Sequence, residues 1–371
     1  MKFTCEKDLI LKEIAIAHDI ISSKNIISIL SNIYLEAKDN KLIIKATDLK
    51  VSIESEINVE VINPGSTTVY CDKFLSIIRN LPPGEIEFEN IDNKTLFIRP
   101  IFKKIDFQLR SIGVEKYPEI QKISDDKYFE FSEKDILEMI SNTIFAVSSD
   151  ESRYFMSGVY LEIVDEKIHM VASDGKRLSF IEKKINSKIE KFNDIIIPTK
   201  ILSILKKLLT GEGNISICVK EKNIFIKFRN HKISSSLIEG QFPNYQRVIP
   251  EKQEYKVIIQ KQLLENAIKR ISLLVEHKSR RIFLQFLSDN LIVSSEENEI
   301  GMAKEEVPCQ YKGPEISITL NYLYLLEPLL CMKNENISVE FTDINKAVTV
   351  KPHPEKDYLH IIMPMQAKQS G

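Results

Sequence analysis

The sequence predicts an α+β fold built from three similar domains, and three observations predict it. A segment recurs: NKLIIKATD at Asn40–Asp48 returns as EKIHMVASD at Glu166–Asp174 and, more faintly, as DNLIVSSE at Asp289–Glu296, at intervals of 126 and 123 residues. Repeats of that length are whole domains. Each copy also carries apolar–polar alternation of period two, which marks strands with one buried face. Finally, each copy carries two apolar stripes of helical period. Two helices beside several antiparallel strands give an α+β domain with its helices on one side of the sheets.

The elements follow in order. Glu6-Lys7-Asp8-Leu9 opens an apolar helical pattern, as do Glu133-Lys134-Asp135-Ile136 and Gln260-Lys261-Gln262-Leu263, each start 127 residues after the last. Second helices follow, with stripes at Phe74, Ile77, Ile78 and Leu81, then at Ile201, Ile204, Leu205 and Leu208. The third version, Leu323–Leu330, is more apolar, and Pro328 is expected to kink it or to sit near its first turn. Late in each copy an alternating strand ends on a basic residue: Lys94–Arg99, Lys222–Lys227 and Lys346–Lys351. Polar interruptions near Gln121–Asp126 and Pro250–Glu254 place the domains at 1–124, 125–252 and 253–371.

Composition narrows the function class. At 371 residues, 43% hydrophobic and 28% charged, the chain is expected to be a soluble protein of two or three domains. Charge arrives too early for a secretory signal, and no apolar stretch is long enough to span a bilayer, so no membrane partner is expected. Five scattered cysteines with no Cys-x-x-Cys, and six histidines, argue for reduced thiols in an intracellular protein and against a metal site. P-loop, His-Glu-x-x-His and Gly-x-Ser-x-Gly motifs are absent, so no cofactor and no catalytic residues are expected. The acidic group Glu296, Glu297, Glu299, Glu305 and Glu306 has no metal-loop spacing and reads as a solvated or intersubunit edge. Asp174-Gly175-Lys176-Arg177 reads as a hairpin or binding rim; His18, His169, His231 and His277 read as structural or surface groups.

Net charge is −2, which disfavours indiscriminate polyanion binding but leaves room for a local basic face. Lys73 and Arg79 on one second helix hold the repeat positions of Lys200 and Lys206 on the next, where Lys207 adds a charge. The first helices contribute Lys7, Lys12, Lys134, Lys261, Lys269 and Arg270, offset by Glu13, Asp19, Asp135 and Glu138. Two readings fit: a solvated helix face, or a surface that neutralises phosphates without reading bases.

Several motifs, in order along nearly the whole chain, resemble the bacterial DNA polymerase III beta subunit family. They include Arg153-Tyr154-Phe155-Met156-Ser157-Gly158, Ala172-Ser173-Asp174-Gly175-Lys176-Arg177-Leu178, Gly240–Pro250 and the ending Ile362-Met363-Pro364-Met365. The resemblance implies a noncatalytic processivity factor, cytoplasmic and nucleoid-associated during replication. Two chains would close head to tail around double-stranded DNA, helices lining the channel and antiparallel sheets forming the outer face. Implied partners are a second copy, a clamp loader, the replicative polymerase alpha subunit, and repair polymerases with other clamp-motif proteins. A noncatalytic protein-interaction scaffold is the alternative; a sugar- or nucleotide-processing enzyme is the weaker one.

The resemblance also implies residue roles. Lys73, Phe107, Leu273 and Leu274 would lie at the dimer interface, with Lys103, Lys104 and the Glu296–Glu306 region supplying opposite charge around it. Met156, Ser173, Gly175, Arg177, Leu178, Pro243, Arg247, Val248, Val350, Ile362, Met363, Pro364 and Met365 would surround a groove for short peptide motifs, with Arg177 and Arg247 orienting polar or carboxylate groups. Lys24 and Tyr154 join Lys73, Arg79, Lys200, Lys206, Lys207, Lys269 and Arg270 as DNA contacts. The chain departs from the family pattern at Lys24, where Arg is commoner, at Asp150, where a neutral polar residue is expected, and at Gln366, where Arg is common.

Overall fold

The computed structural model describes residues 1–21, 28–91, 94–120, 128–185 and 193–366. The helices, in order, are α1 (Lys7–Ile20), α2 (Cys71–Asn80), α3 (Glu133–Thr143), α4 (Thr199–Leu208), α5 (Lys261–Ile271) and α6 (Tyr322–Cys331). One short strand precedes α1, α3 and α5, and runs of strands follow every helix, so the strand–helix–strands–helix–strands plan occurs three times. The chain compacts into two units, Met1–Lys134 with Lys200–Leu237, and Asp135–Thr199 with Ile238–Gly371. No described helix is long and apolar enough to cross a membrane.

In the first unit, thirteen described strands form one antiparallel ladder from Phe129–Ser132 at one end to Glu60–Asn63 at the other. Helix α1 buries Ile10, Ile14, Ala17 and Ile20 beneath it, and α2 buries Phe74, Leu75 and Ile78. Phe3 stacks on Phe88 at 4.8 Å, and Phe74 meets Phe88 edge-on at 6.0 Å. Each such side chain, fully buried, contributes about 2–3 kcal/mol. Leu81, expected on the α2 stripe, is buried but lies just past the helix, because Pro82 biases it to the extended conformation it adopts. The repeated opening segment is a hairpin: Asp39 and Asn40 turn with φ of +52° and +56°, and Asp165 and Glu166 with +46° and +61°.

Within this unit the strand His231–Ser236, from the second copy, pairs with Val51–Asn58 of the first, His231 opposite Ser55 and Ser235 opposite Val51. Beside this seam Glu13 of α1 is only 3% exposed and faces His231 Nε2 at 3.0 Å. Glu13 is therefore no solvated counter-charge on a helix face.

In the second unit, twelve described strands form the other ladder, from Ile195–Pro198 to Ile316–Asn321. Its seam joins Arg177–Lys184 of the second copy to Tyr358–Ile362 of the third, Arg177 opposite Ile362. A buried polar chain runs under it: Ser179 Oγ donates to the Asn142 carbonyl at 2.7 Å and lies 3.0 Å from the Tyr358 hydroxyl and 3.1 Å from His360 Nδ1. Burial and the Arg177 charge push the His360 imidazole down to about 3, so it is neutral at physiological pH. Pro328 sits inside α6 rather than in its first turn, and the helix runs past it to Cys331. Burial against the core, with Leu325 and Leu329, offsets the lost backbone donor.

Candidate functional site

The site begins at the turn joining the strands Lys167–Ser173 and Arg177–Lys184. Asp174 Oδ1 accepts from the backbone N–H of Lys176 and Arg177 at 2.9 and 3.0 Å, and Ser173 Oγ donates to the Arg177 carbonyl at 2.7 Å. Gly175 closes the turn at φ +84°, where a Cβ would meet the Arg153 guanidinium at 2.8 Å. The turn fixes Arg177, whose Nε donates to Asp174 at 3.1 Å, one terminal nitrogen to Glu327 and the other to the Phe145 carbonyl at 2.6 Å. Its plane lies over the ring of Tyr324 at 4.5 Å.

Behind the turn Val171, Leu178, Ile196, Phe242, Tyr245 and Ile361 form a buried cluster. The expected groove set therefore divides. Leu178, Met156, Val350 and Ile362 are buried, and they support the site from beneath. Met363, 40% exposed, and Val248, 44% exposed, present apolar surface, and Pro243, Arg247 and Gly175 are also exposed. Met363 is held by its N–H to the Lys176 carbonyl at 2.9 Å, and Met365 by its own to Thr319 at 2.8 Å. Pro364 and Met365 are half-buried, and Ser173 is committed to the turn. His169 belongs to the neighbouring face, between Glu162 at 3.3 Å and Glu182 at 3.4 Å, with Tyr245 against it.

The cationic positions divide as well. In the first unit Lys200 Nζ donates to the Ile20 carbonyl at 2.6 Å and pairs with Asp48. Burial pushes the Asp48 carboxyl up, but Lys200 and backbone N–H groups outweigh that and leave it below its ordinary value. Lys207 pairs with Asp19 at 2.7 Å, and Lys73 approaches Asp72 at 3.8 Å. Among the described residues, Arg79 and Lys206 have no carboxylate within 4 Å. In the second unit Lys269 pairs with Glu265 at 2.6 Å and Arg270 with Glu305 at 2.8 Å. Lys24 lies outside the described residues. Tyr154 is exposed, with its ring edge-on to Phe155 at 5.7 Å. The acid at Asp150 has a local reason: it caps the turn Glu151–Met156, accepting from the Ser152 N–H at 3.0 Å and Arg153 Nε at 3.0 Å.

Two exposed apolar patches complete the picture. In the first unit Phe102 (84% exposed) and Ile101 join Phe107, with Lys103 and Lys104 exposed beside them. In the second, Leu273 (81%), Ile300 (85%) and Met302 are exposed, on segments that meet where Asn298 Nδ2 donates to the carbonyl of the half-buried Leu274 at 2.9 Å, and Glu297, Glu299 and Glu306 are exposed in the same stretch of chain as Ile300 and Met302. Sequence reasoning missed Phe102, Ile300 and Met302, which belong to no periodic pattern. It also missed Glu327 and Tyr324, which looked like ordinary helix residues. Among the described residues no group of three or more His, Cys, Asp or Glu side chains could hold a metal ion, and burial pushes the Cys5 and Cys71 thiols up to about 12.

Three family models match in succession: the N-terminal domain of the DNA polymerase III beta subunit over residues 1–121, its central domain over 130–244 and its C-terminal domain over 246–366. This chain belongs to the DNA polymerase III beta subunit family. The beta sliding clamp of Treponema pallidum is 45% identical over 372 residues, covering 99% of this chain and all of the relative. Two solved clamps, one from Bacillus subtilis and one from Pseudomonas aeruginosa bound to griselimycin, are each 26% identical over 99% of this chain, with TM-scores of 0.92; the match covers 99% of the first and 100% of the second. The repeated α+β fold is that of the sliding clamps, and the function is that of their processivity factors, which is noncatalytic.

Proposed function

We propose that two copies of this chain close head to tail into a ring that encircles duplex DNA and tethers polymerases and other motif-bearing proteins through the groove beside Met363. One observation carries the reading: the two seams use one register. Leu96 pairs with Leu109, Ile224 with Ser235 and Val348 with Ile362, which makes Leu109, Ser235 and Ile362 equivalent positions of the three copies. Lys41 pairs with Asn58, Lys167 with Lys184 and Asn290 with Pro308, so Val51, Arg177 and Gly301, seven residues earlier in each case, are equivalent too. One seam joins Ser235 to Val51 and the other joins Ile362 to Arg177. The unused members of the two sets are Leu109 and Gly301.

Among the described residues the outer edges of Phe107–Arg110 and Lys304–Pro308 carry no ladder partner. Open edges invite strand pairing. Repeating the seam sets Leu109 against the partner's Gly301, Phe107 against the partner's Ala303 and Asp106 against the partner's Lys304. The exposed patches at Phe102 and at Leu273, Ile300 and Met302 would flank that ladder, and twofold symmetry would make the contact twice. Domains at 1–124, 125–252 and 253–371 follow the same repeat, with a clamp loader and the polymerase alpha subunit as cytoplasmic partners on nucleoid DNA. Arg79, Lys206 and Lys73 are the cations best placed to meet phosphates loosely enough to slide.

Opposed strand residues bring their Cβ atoms to about 5 Å, close to disulfide reach. The double variant Phe107→Cys/Ala303→Cys should therefore oxidise to a covalent dimer, and Phe107→Cys/Glu305→Cys, two residues out of register, should not. Oxidised in the presence of nicked circular plasmid, the dimer should stay on that DNA in high salt and leave when the plasmid is linearised. Salt-labile binding indifferent to linearisation would instead favour a protein-interaction scaffold.

A further inference from the structure

The two seams match row by row across their strands. In the first unit Thr47 lies opposite Ser52, and Ser52 lies opposite Ser234 across the seam. In the second, Ser173 lies opposite Leu178, and Leu178 lies opposite Ile361. Since Val51 is equivalent to Arg177 and Ser235 to Ile362, these rows are the same three positions, and opposed strand residues share a face. On that face Ser236 and its opposite number Asn223 stand where the other copy has Met363 and Ala347. The flanking aromatic–proline pair recurs too: the Tyr117 ring, before Pro118, lies 5.6 Å from Tyr34, and the Phe242 ring, before Pro243, lies 4.9 Å from Tyr160. One cleft is therefore built twice, with an apolar floor in the second unit and hydroxyls in the first. The hydroxyl-lined copy, which Lys50, Pro118 and Glu119 also line, encloses about 180 Å³, less than the ~300–1,000 Å³ of a site for a whole small molecule.

We propose that this cleft at the first seam is a binding site for a small oxyanion, a phosphate group in particular. Its groups divide into spent and unspent. The Thr47 hydroxyl donates to the Val51 carbonyl at 3.1 Å, accepts from the Leu49 N–H at 2.9 Å and pairs with Ser52 at 2.7 Å, so those two hydroxyls satisfy each other. The N–H groups of Lys50 and Val51 are spent on Asp48 at 2.9 and 2.7 Å. Ser234 is different: it is only 8% exposed, and among the described residues its hydroxyl has no hydrogen-bond partner. An enclosed hydroxyl left that way is destabilising unless the cleft's occupant answers it. The Ser236 hydroxyl and the Asn223 amide are also uncommitted, and the exposed Lys50 has no carboxylate within 4 Å, among the described residues. Two hydroxyls, an amide and an ammonium form a donor set suited to phosphate oxygens. An apolar group would leave all four unpaired. Of the nearby acids, Asp48 is paired with Lys200, and Glu119 is exposed, where water screens its repulsion. The site stands whether or not the groove beside Met363 binds peptides.

Inorganic phosphate is titrated into the full-length protein in about 0.15 M chloride, which screens the exposed helix cations, and binding is read from phosphorus NMR line broadening. Ser234→Ala, which leaves every charge in place, and Lys50→Ala should each weaken binding about tenfold. Glu119→Gln should tighten it about threefold. Lys50 and Glu119 are exposed, so their variants should keep the wild-type melting temperature and carry the test even if Ser234→Ala folds poorly. O-Phosphoserine in the same titration separates the sources of the phosphate: affinity at least equal to that of inorganic phosphate assigns the cleft to the head of a phosphomonoester, and weaker affinity assigns it to the free ion. No broadening with wild-type protein, an affinity unchanged in both Ser234→Ala and Lys50→Ala, or displacement of phosphate by equimolar glycerol would overturn the proposal. None of those results touches the ring or the groove, because the titration contains neither DNA nor peptide.

Discussion

Replacing Glu13 by alanine is expected to destabilise the unit that contains both Glu13 and His231. Glu13 is 3% exposed, as is His231, and the carboxylate lies 3.0 Å from Nε2 and 3.5 Å from Asn230 Nδ2. Among the described residues His231 Nδ1 is buried with no hydrogen-bond partner, so losing Glu13 leaves the imidazole unsatisfied. Removing one member of a buried pair costs about 3–5 kcal/mol. At roughly 2–4 °C per kcal/mol for a unit of this size, the transition should fall by about 6–20 °C. Burial alone pushes the Glu13 carboxyl up, but the hydrogen bond and charge of His231, with Ser55 and Asn230, outweigh it and hold it below its ordinary 4.5. A depressed carboxyl stabilises the fold above the unfolded value, and that stability is lost as pH falls through the folded value. The gap between wild type and Glu13→Gln should therefore narrow below about pH 4.5. Scanning calorimetry from about pH 3.5 to about pH 8 spans the carboxyl titration and reads both effects. A loss under about 1 °C for Glu13→Ala, or a gap that widens in acid, would refute the reasoning.

Other outcomes follow from the same geometry. Leu273→Asp/Leu274→Asp should yield monomers in sedimentation, since Leu273 is 81% exposed and charge there opposes an apolar contact. Met363→Ala should weaken binding of a clamp-motif peptide about fivefold, roughly the loss of 1 kcal/mol of apolar contact, while dimer mass is unchanged. Lys206→Ala should lower the slope of log K against log salt for duplex DNA by about one. Lys200→Ala, tied to Ile20 and Asp48, should instead show itself as a lower melting temperature.

The fold was largely legible because its signals are local. Alternation in KTLFIR and its copies, and stripes such as Ile201, Leu205 and Leu208, report burial directly from spacing. What stayed hidden depends on residues far apart in the chain. Glu13 looked like a solvated counter-charge because His231 lies 218 positions away. Arg177 looked available to partners because Glu327 is 150 positions away. Pro328 was judged by propensity, and burial in the core overrode propensity. Phe102 and Ile300 sit in turns, where no period distinguishes an exposed contact residue from a packed one. Within the proposed groove, the division into a buried floor and the exposed Met363 and Val248 was not legible from spacing.

Both seams are made by main-chain ladders, His231–Ser235 on Val51–Ser55 and Tyr358–Ile362 on Arg177–Ile181. A main-chain joint asks little of residue identity: almost any side chain that tolerates an extended strand can donate and accept across it. Its side chains alternate between a packed face and an outer face, and the outer ones are released from the joining task. Evolution can therefore rewrite much of each joint without unmaking it. That freedom accounts for clamps that keep only about a quarter of this chain's residues yet superimpose with a TM-score of 0.92.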